Sequence, residues 1–399
     1  MPGRVLRALG LSSAAGALDE VTGRRPRRYA LFERVRSADE ETAGVLLGPL
    51  PPPQSILEVP HGHAGSKLFT ERVGAREYVL KNSPVLFHTE SWIETLLTPR
   101  EWLPPSILIF VVILVSLVTW GTLTYPSPTL ADDRIHSTMY GFISLLIVFR
   151  TSQAYARWWE GRTLWGSIVN STRNLASNAA CYMNDDARYT RAIICTITFA
   201  YSTKQLLRGR RLDPTEVQGL FTKNEIDRIN SVEHIPMLMM DEIRRMMKFE
   251  LREQLGSSGS HLRTSDNWDM IISADIKALV DALGACERIA KTPMPFGYLA
   301  QLRIFILIWL ITWPLGLTLE YGWATIPLVS VCAWMMLKIE EIAVQCESPF
   351  GMDANDLPLD TICVTIERNL LEILRRAEYL RTHDDLVDVK SFRAYILKP

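Results

Sequence analysis

The sequence predicts an all-α integral membrane protein with about four transmembrane helices, continuous with a cytoplasmic-type helical domain. Three observations predict this class. Trp102 to Ala131 carries no aspartate, glutamate, lysine or arginine over 30 residues, which exceeds the roughly 20 residues that a helix needs to cross a bilayer. Ile135 to Phe149 is a second charge-free run, and Arg303 to Lys338 holds one charge between its ends, Glu320.

The composition argues against other classes of protein. The 399 residues are 48% hydrophobic with 11 tryptophans and a formal net charge of −1, so nucleic acid is not expected as a partner. The six cysteines lie far apart without a C-x-x-C pair, so neither disulfides nor a zinc site is expected. The one close histidine pair, His61-Gly62-His63, has no other ligand nearby.

Residues 1–83 are predicted to be a weakly ordered N-terminal extension. Pro51-Pro52-Pro53 and the basic cluster at residues 24–28 interrupt any regular pattern. The first 18 residues contain Arg4 and Arg7, several small residues and no acid. This composition is compatible with an organellar targeting peptide and also with a simple disordered tail.

The predicted spans lie near residues 103–125, 135–150, 304–319 and 321–337. The last two are each a little short of a full crossing, and two arrangements fit them. They form two antiparallel helices that turn near Glu320-Tyr321-Gly322, which we favour, or one long helix broken inside a protein-lined environment.

The insert at residues 160–303 is predicted to form the helical domain. It is rich in charge, and apolar residues recur in it at helical spacing, as at Ile276, Leu279 and Leu283. The sequence Gly256-Ser257-Ser258-Gly259-Ser260 predicts a loop inside it. The apolar stretch Ala192 to Thr203 is only about a dozen residues long, so it predicts a buried helix rather than a span.

The second apolar run ends abruptly in Phe149-Arg150-Thr151-Ser152-Gln153-Ala154-Tyr155-Ala156-Arg157-Trp158-Trp159-Glu160-Gly161-Arg162. Arginine at the end of a spanning helix can reach headgroups or a water-filled cavity, and paired tryptophans suit the bilayer interface. The motif therefore marks a bilayer edge. On these residues alone, an ordinary helix end with interfacial anchors fits as well.

The same motif resembles the second-helix signature of the bestrophin family of anion channels, in its bacterial and chloroplast-type form. Two further segments match in the expected order: Cys286-Glu287-Arg288-Ile289 with Thr292-Pro293-Met294-Pro295-Phe296, and Pro349-Phe350-Gly351-Met352-Asp353-Ala354-Asn355-Asp356. The resemblance covers residues 84–375 and leaves residues 376–399 as a C-terminal tail.

The resemblance implies a homopentameric ring with a central pore that conducts chloride and bicarbonate. The expected partners are further copies of the chain, membrane lipid and inorganic anions, with no cofactor and no enzymatic activity. The expected location is multi-pass in a plastid thylakoid or other organellar membrane, or alternatively the plasma membrane.

The resemblance also implies a narrow neck lined by Gly141, Leu145 and Phe149. Spacings of four and eight residues place all three on one helical face. Aromatic ring edges carry the positive end of the quadrupole and favour an anion, and an apolar ring gates by dewetting. Gly141 stands where a third bulky apolar residue is expected. On periodicity alone, Leu145 and Phe149 also fit simple core packing.

The resemblance implies one further pore site, and charge suggests a role for two arginines. Met239 is the match for a second, cytoplasmic aperture, although an apolar run of this kind is also typical of a buried segment. Arg150 and Arg157 would raise the anion concentration in the vestibules, or would pair with acids and play a structural part.

Animal bestrophins bind calcium through consecutive acids after the Pro-Phe-Gly motif, and this chain departs from that pattern. The candidates are Asp353, Asn355 and Asp356, followed by Asp360. Calcium needs about six to eight oxygen ligands, so no metal is expected here. Asp356 before Leu357-Pro358 instead predicts a helix start.

A membrane-embedded enzyme and a coupled anion transporter are the alternative functions. An enzyme needs a nucleophile with its base, and an exchanger needs an ionisable relay within the membrane. The sequence offers neither pattern clearly, since Glu320 lies at a predicted turn and His136 is the single titratable candidate near the start of the second span.

Overall fold

The computed structural model describes Leu68 and residues 71–83, 105–125, 134–257, 265–353 and 355–382. These residues form helices joined by short turns, and no strand occurs among them. In chain order the helices are α1 (Val73–Lys81), α2 (Pro105–Thr124), α3 (Arg134–Tyr182), α4 (Asp186–Leu207), α5 (Lys223–Ser231), α6 (Ile235–Ser257), α7 (Ser265–Lys291), α8 (Phe296–Tyr321), α9 (Thr325–Glu347) and α10 (Leu359–Thr382).

Helix α3 dominates the architecture because it is unbroken over 49 residues. At 1.5 Å per residue it is about 74 Å long, more than twice the thickness of a bilayer core. Its first part carries the second apolar run, and its remainder belongs to the helical domain. The two parts of the protein are therefore joined by one continuous helix.

A bundle of apolar helices surrounds the first part of α3. Its core is formed by α3, α8 and α9 through Ile143, Leu302, Ile306, Trp309, Leu310 and Ala333. The outer faces of these helices and of α2 also carry large apolar side chains, including the exposed Phe110, Leu117, Ile308 and Val331. An apolar exterior around an apolar core is typical of a surface that faces lipid.

Among the described residues, the run Phe296–Glu347 is long and apolar enough to cross a membrane, and Ile109–Thr124 is a shorter apolar helix. Within the first run, α8 and α9 are separated by a short 3₁₀ turn at Gly322–Ala324. Arg303 Nε lies 2.9 Å from Glu340 Oε1 across the two helices, so they are antiparallel. The number of membrane crossings stays a prediction.

The second part of α3 packs with α4, α6, α7 and α10 in a separate helical bundle. Helix α4 contains the predicted buried stretch and is enclosed from Tyr189 to Gln205. Its start is capped by the Asp185 carboxylate, which accepts hydrogen bonds from the amides of Ala187 and Arg188, so the helix begins there rather than extending α3.

Helix α1 docks on this bundle, where weak order was predicted. Arg72, just before the helix, is fully buried, and its Nε and Nη2 lie 3.1 and 2.7 Å from the two carboxylate oxygens of Glu367 on α10. Its Nη1 also donates to the Gln218 carbonyl at 2.7 Å. A bidentate arginine–carboxylate pair fixes both the position and the orientation of the arginine. Residues 71–83 therefore belong to the folded domain.

Several sequence predictions fall outside the described residues. They concern residues 1–67, the histidine pair His61-Gly62-His63, residues 258–260 of the glycine-serine loop and residues 383–399 of the tail. The first part of the tail is helical, because α10 continues to Thr382.

Candidate pore helix and its supporting junction

The predicted neck residues lie on an exposed face of α3. Leu145 is 63% exposed and Phe149 is 56% exposed, while Ile143 on the opposite side is buried against α8 and α9. Gly141 is also exposed, and a Cβ placed there would meet nothing within 4 Å. Core packing within one protomer therefore does not account for Leu145 and Phe149.

Arg150, next to Phe149, points into the protein rather than towards a vestibule. Its side chain is 1% exposed, and its Nη1 lies 2.5 Å from Glu347 Oε1. Its Nε lies 3.2 Å from Glu340 Oε2. Of the two roles expected for Arg150, these contacts favour the structural one, because a buried and paired charge contributes little field to a distant aqueous cavity. The residue anchors α3 to α9.

Arg157, two turns further along α3, also has a structural part. Its Nε donates to the Glu347 carbonyl at 3.3 Å and its Nη2 donates to the Ile289 carbonyl at 2.7 Å. These carbonyls lie near the ends of α9 and α7, where helix carbonyls lack partners within their own helix. Arg157 therefore caps two helix ends, which favours the structural one of its two expected roles.

The three sequence motifs meet at one junction on α3. Trp158 Nε1 donates to the Asn355 carbonyl at 2.9 Å, and Arg288 Nη2 lies 2.6 Å from Glu160 Oε1. A Cβ at Gly161 would lie 3.1 Å from the Phe350 ring and 3.2 Å from Pro349. Glycine thus allows the Pro-Phe-Gly loop to approach the helix backbone closely.

The loop at residues 349–356 is held by its own carboxylate. Asp356 Oδ2 accepts a hydrogen bond from the Asp353 amide at 2.6 Å. A Cβ at Gly351 would come within 2.6 Å of the same oxygen, so the loop requires glycine there. Helix α10 begins at Leu359, and Asp356 stabilises the preceding turn instead of capping the helix as predicted.

The side chains of the residues considered for calcium binding contact separate partners. The Asn355 amide nitrogen donates to Gln345 Oε1 at 2.6 Å. Asp360 Oδ1 lies 2.8 Å from Lys204 Nζ, and Asp360 Oδ2 lies 2.7 Å from Arg208 Nη2. Although burial disfavours the charged carboxylate, these two cations hold the pKa of Asp360 below its ordinary value. No group of three potential metal ligands converges among the described residues.

Met239, the predicted aperture residue, has no exposed surface in the protomer. It lies in the first turns of α6, where Met240 and Ile243 are buried with it and Met237 and Leu238 are half-buried. A residue that lines an opening between copies must present its side chain at the protomer surface. The prediction for Met239 is corrected, because the apolar run there serves core packing.

The candidates for proton coupling are few within the described part of the apolar bundle. His136 Nε2 lies 2.8 Å from the Thr312 hydroxyl on α8, and that hydroxyl donates to the Ile308 carbonyl. Glu320 is exposed at the end of α8. Among the residues that the structure describes, neither forms an ion pair or a hydrogen bond with a second carboxylate or histidine that would begin a relay.

The sequence reasoning missed the acids that hold α3 in place. Glu340 and Glu347 lie seven residues apart, which places them on the same face of α9, and both meet Arg150. Two acids at this spacing at the end of an apolar helix were a visible signal for a buried basic partner. The buried group of Lys204, Glu216 and Asp360 was missed as well.

Comparison with known proteins gives consistent matches. Residues 87–372 match the family described as Bacterial/Fungal Bestrophin protein. A voltage-dependent anion channel-forming protein of Nostoc sp. is 35% identical over 249 residues, which are 61% of this chain and 78% of the relative. A protein of the same description from Escherichia coli strain K12 is 30% identical over 275 residues, 68% of this chain and 85% of the relative.

A solved structure gives the same result. The crystal structure of a bacterial bestrophin homologue from Klebsiella pneumoniae superimposes with a TM-score of 0.60 at 25% identity. The match covers 67% of this chain and 97% of that chain. The helical order described above is therefore similar to a fold that has been seen experimentally.

Proposed function

Because the chain belongs to the bacterial and fungal bestrophin family, we propose that it is an anion channel of the membrane in which it resides, with a pore lined by the exposed face of α3. The observation that carries the proposal is the exposure of Leu145 and Phe149 beside the buried anchor Arg150. A helix that is fixed on one side and presents bulky apolar side chains on the other is suited to form a constriction. The names of the relatives as anion channel-forming proteins support the choice of ion.

The pore is proposed to be shared among five copies. One α3 helix cannot surround an ion, so a path lined by its exposed face requires a closed ring with cyclic symmetry. The number five comes from the family resemblance. Chloride and bicarbonate are the proposed permeant ions, and no enzymatic step is needed for their passage.

The neck is proposed to act through weak contacts. Phe149 turns an aromatic edge with partial positive charge towards the axis, and Leu145 adds an apolar ring that empties of water easily. Such a wall favours an anion without binding it tightly. Since Arg150 and Arg157 are engaged in structural contacts, selectivity is assigned to the neck rather than to them.

The helical domain is proposed to lie on the cytoplasmic side. Arg150, Arg303 and Lys338 lie at the end of the apolar bundle that joins this domain, whereas the opposite end has Arg134 at the start of α3 and the exposed Glu320. Short segments rich in lysine and arginine remain on the cytoplasmic side of a membrane. Exposed Trp120, Tyr321 and Trp323 at the other end suit the second interface.

The function is tested with purified protein in a planar bilayer. The expected result is unitary current that reverses near the chloride equilibrium potential, from a detergent-solubilised complex whose mass corresponds to five chains. A monodisperse monomer or dimer with full conductance would exclude the shared pore. Transport that requires a counter-substrate and gives no unitary current would favour a coupled transporter, with His136 as its first residue to test.

The current is expected to be independent of calcium. Asp360 pairs with Lys204 and Arg208, and Asp356 accepts a hydrogen bond from a backbone amide; calcium needs about six to eight oxygen ligands, which supports the proposal. Adding a calcium chelator should leave the open probability unchanged. A steep micromolar calcium dependence that disappears in Asp353→Ala would show that the loop binds the ion.

For the location, we propose a plastid thylakoid or other organellar membrane, with the plasma membrane as the alternative. The basic, acid-free start of the sequence and the similarity to a protein of Nostoc sp. support this choice. Imaging of fluorescent fusions at each terminus tests it, and a signal confined to the plasma membrane would contradict it.

A further inference from the structure

Gly141 leaves the outer part of the neck face without a side chain. It lies one turn before Leu145 and two turns before Phe149 on α3, and a Cβ there would meet nothing within 4 Å. An alanine is therefore sterically allowed at this position within one protomer. The gap is open towards the surface that other copies would occupy.

Phe142, the next residue, is a large aromatic side chain that its own protomer does not cover. It is 63% exposed, whereas Ile143, Leu146 and Ile147 on the same helix pack against α8 and α9. Packing against a neighbouring copy would remove this apolar ring from the water of the proposed pore, which is favourable.

The two residues lie on opposite sides of the direction in which Leu145 points. Successive residues of a helix are rotated by about 100°. Gly141 therefore lies about 40° to one side of Leu145, and Phe142 lies about 60° to the other. In height along the helix the two differ by only about 1.5 Å.

In a cyclic ring, equivalent residues of all copies lie at the same height, and each helix meets its two neighbours with opposite sides. The side bearing Phe142 in one copy therefore faces the side bearing Gly141 in the next. We propose that Phe142 packs over the bare backbone of Gly141 in the adjacent copy and supplies the outer ring of the neck. This inference rests on the proposed central pore lined by Leu145 and Phe149.

The neck would then be as long as one with a bulky apolar residue at position 141, but its outer ring would be formed by Phe142. Phe142, Leu145 and Phe149 would extend over about 10 Å along the axis, with aromatic rings at both ends. Gly141 then leaves room for Phe142 of the adjacent copy, and its lack of a side chain does not shorten the neck.

Single and combined substitutions of Gly141 and Phe142 test the contact. Phe142→Ala should raise unitary conductance and weaken discrimination among anions, because the outer ring is lost. Gly141→Ile should reduce conductance or destabilise the pentamer, although a Cβ at this position meets nothing within 4 Å in its own protomer. The double variant Gly141→Ile with Phe142→Ala should recover near wild-type conductance and assembly, since the isoleucine then fills the space. This recovery is the non-additivity expected of residues in contact.

Phe110→Ala on α2 is the matched control, because Phe110 is also 63% exposed and should leave conductance unchanged. Two results would overturn the inference: a Phe142→Ala channel identical to wild type, or effects of the two substitutions that simply add. If Phe142→Ala fails to assemble, rescue by Gly141→Ile supports the contact and failure of rescue refutes it. Unaltered current after Leu145→Ala with Phe149→Ala would instead refute the central pore itself.

Discussion

Replacing Leu145 and Phe149 together by alanine is expected to give a channel with higher conductance or open probability and weaker anion selectivity. In the proposed pore the two side chains provide the dewetting barrier and the aromatic edges at the inner neck, and both are more than half exposed in the protomer. Their removal widens and hydrates the path without opening a cavity in the core. Single-channel recording in mixed-anion solutions measures both effects.

A core position for Leu145 and Phe149 predicts a different result. If the two residues were core residues, each truncation would cost roughly 2–5 kcal/mol, and assembled protein would be lost without leakier channels. Phe110→Ala with Leu117→Ala on α2 is a matched control, since these side chains are 63% and 60% exposed. An intact oligomer with unchanged conductance would remove Leu145 and Phe149 from the pore.

Replacing Arg150 by methionine is expected to prevent assembly of a stable channel. Arg150 and Glu347 are 1% and 2% exposed, so the substitution leaves a buried carboxylate without its cation. Loss of one partner from such a pair typically costs about 3–5 kcal/mol. The yield and the thermal stability of the purified oligomer measure the effect, and an oligomer with the yield and stability of wild type would contradict the anchoring role.

Arg303→Met is the matched control for this prediction. Arg303 also pairs with Glu340, but its side chain is 48% exposed. An exposed pair contributes only about 0–1 kcal/mol, so the control should assemble normally. A combined Arg150→Met and Glu347→Gln variant should recover part of the loss, because the uncompensated charge is then removed as well.

Local patterns in the sequence were sufficient for the helices, whereas only the family resemblance implied that Leu145 and Phe149 on α3 are exposed. The charge-free runs predicted apolar helices, and four-residue spacing placed Leu145 and Phe149 on one face. Both features depend on neighbours within a few turns. The short length of Ala192 to Thr203 likewise predicted the buried helix α4.

The contacts of charged residues could not be predicted in the same way. The position of Arg150 after an apolar run suggests a vestibule residue as well as a structural one. Its acidic partners lie about 190 positions later in the sequence, so no local pattern reveals the pairing. Arg72 belongs to a stretch of low hydrophobicity, and its partner Glu367 is 295 positions away. Burial of Met239 depends on which side of α6 meets α4, and a run of apolar residues has no periodicity that reveals it.

Because α3 is unbroken, the residues at its two ends lie at very different distances from the buried anchor at Arg150. If the helix tilts about its buried anchor at Arg150, the arm to Tyr182 is about 48 Å long and the arm to Leu145 is about 7.5 Å. A shift of about 6 Å at the distant end then moves the neck by only about 1 Å. Large rearrangements of the helical domain would thus be reduced to fine adjustments of pore width, and a distance probe on the exposed Cys181 would move several times further than one at Leu145.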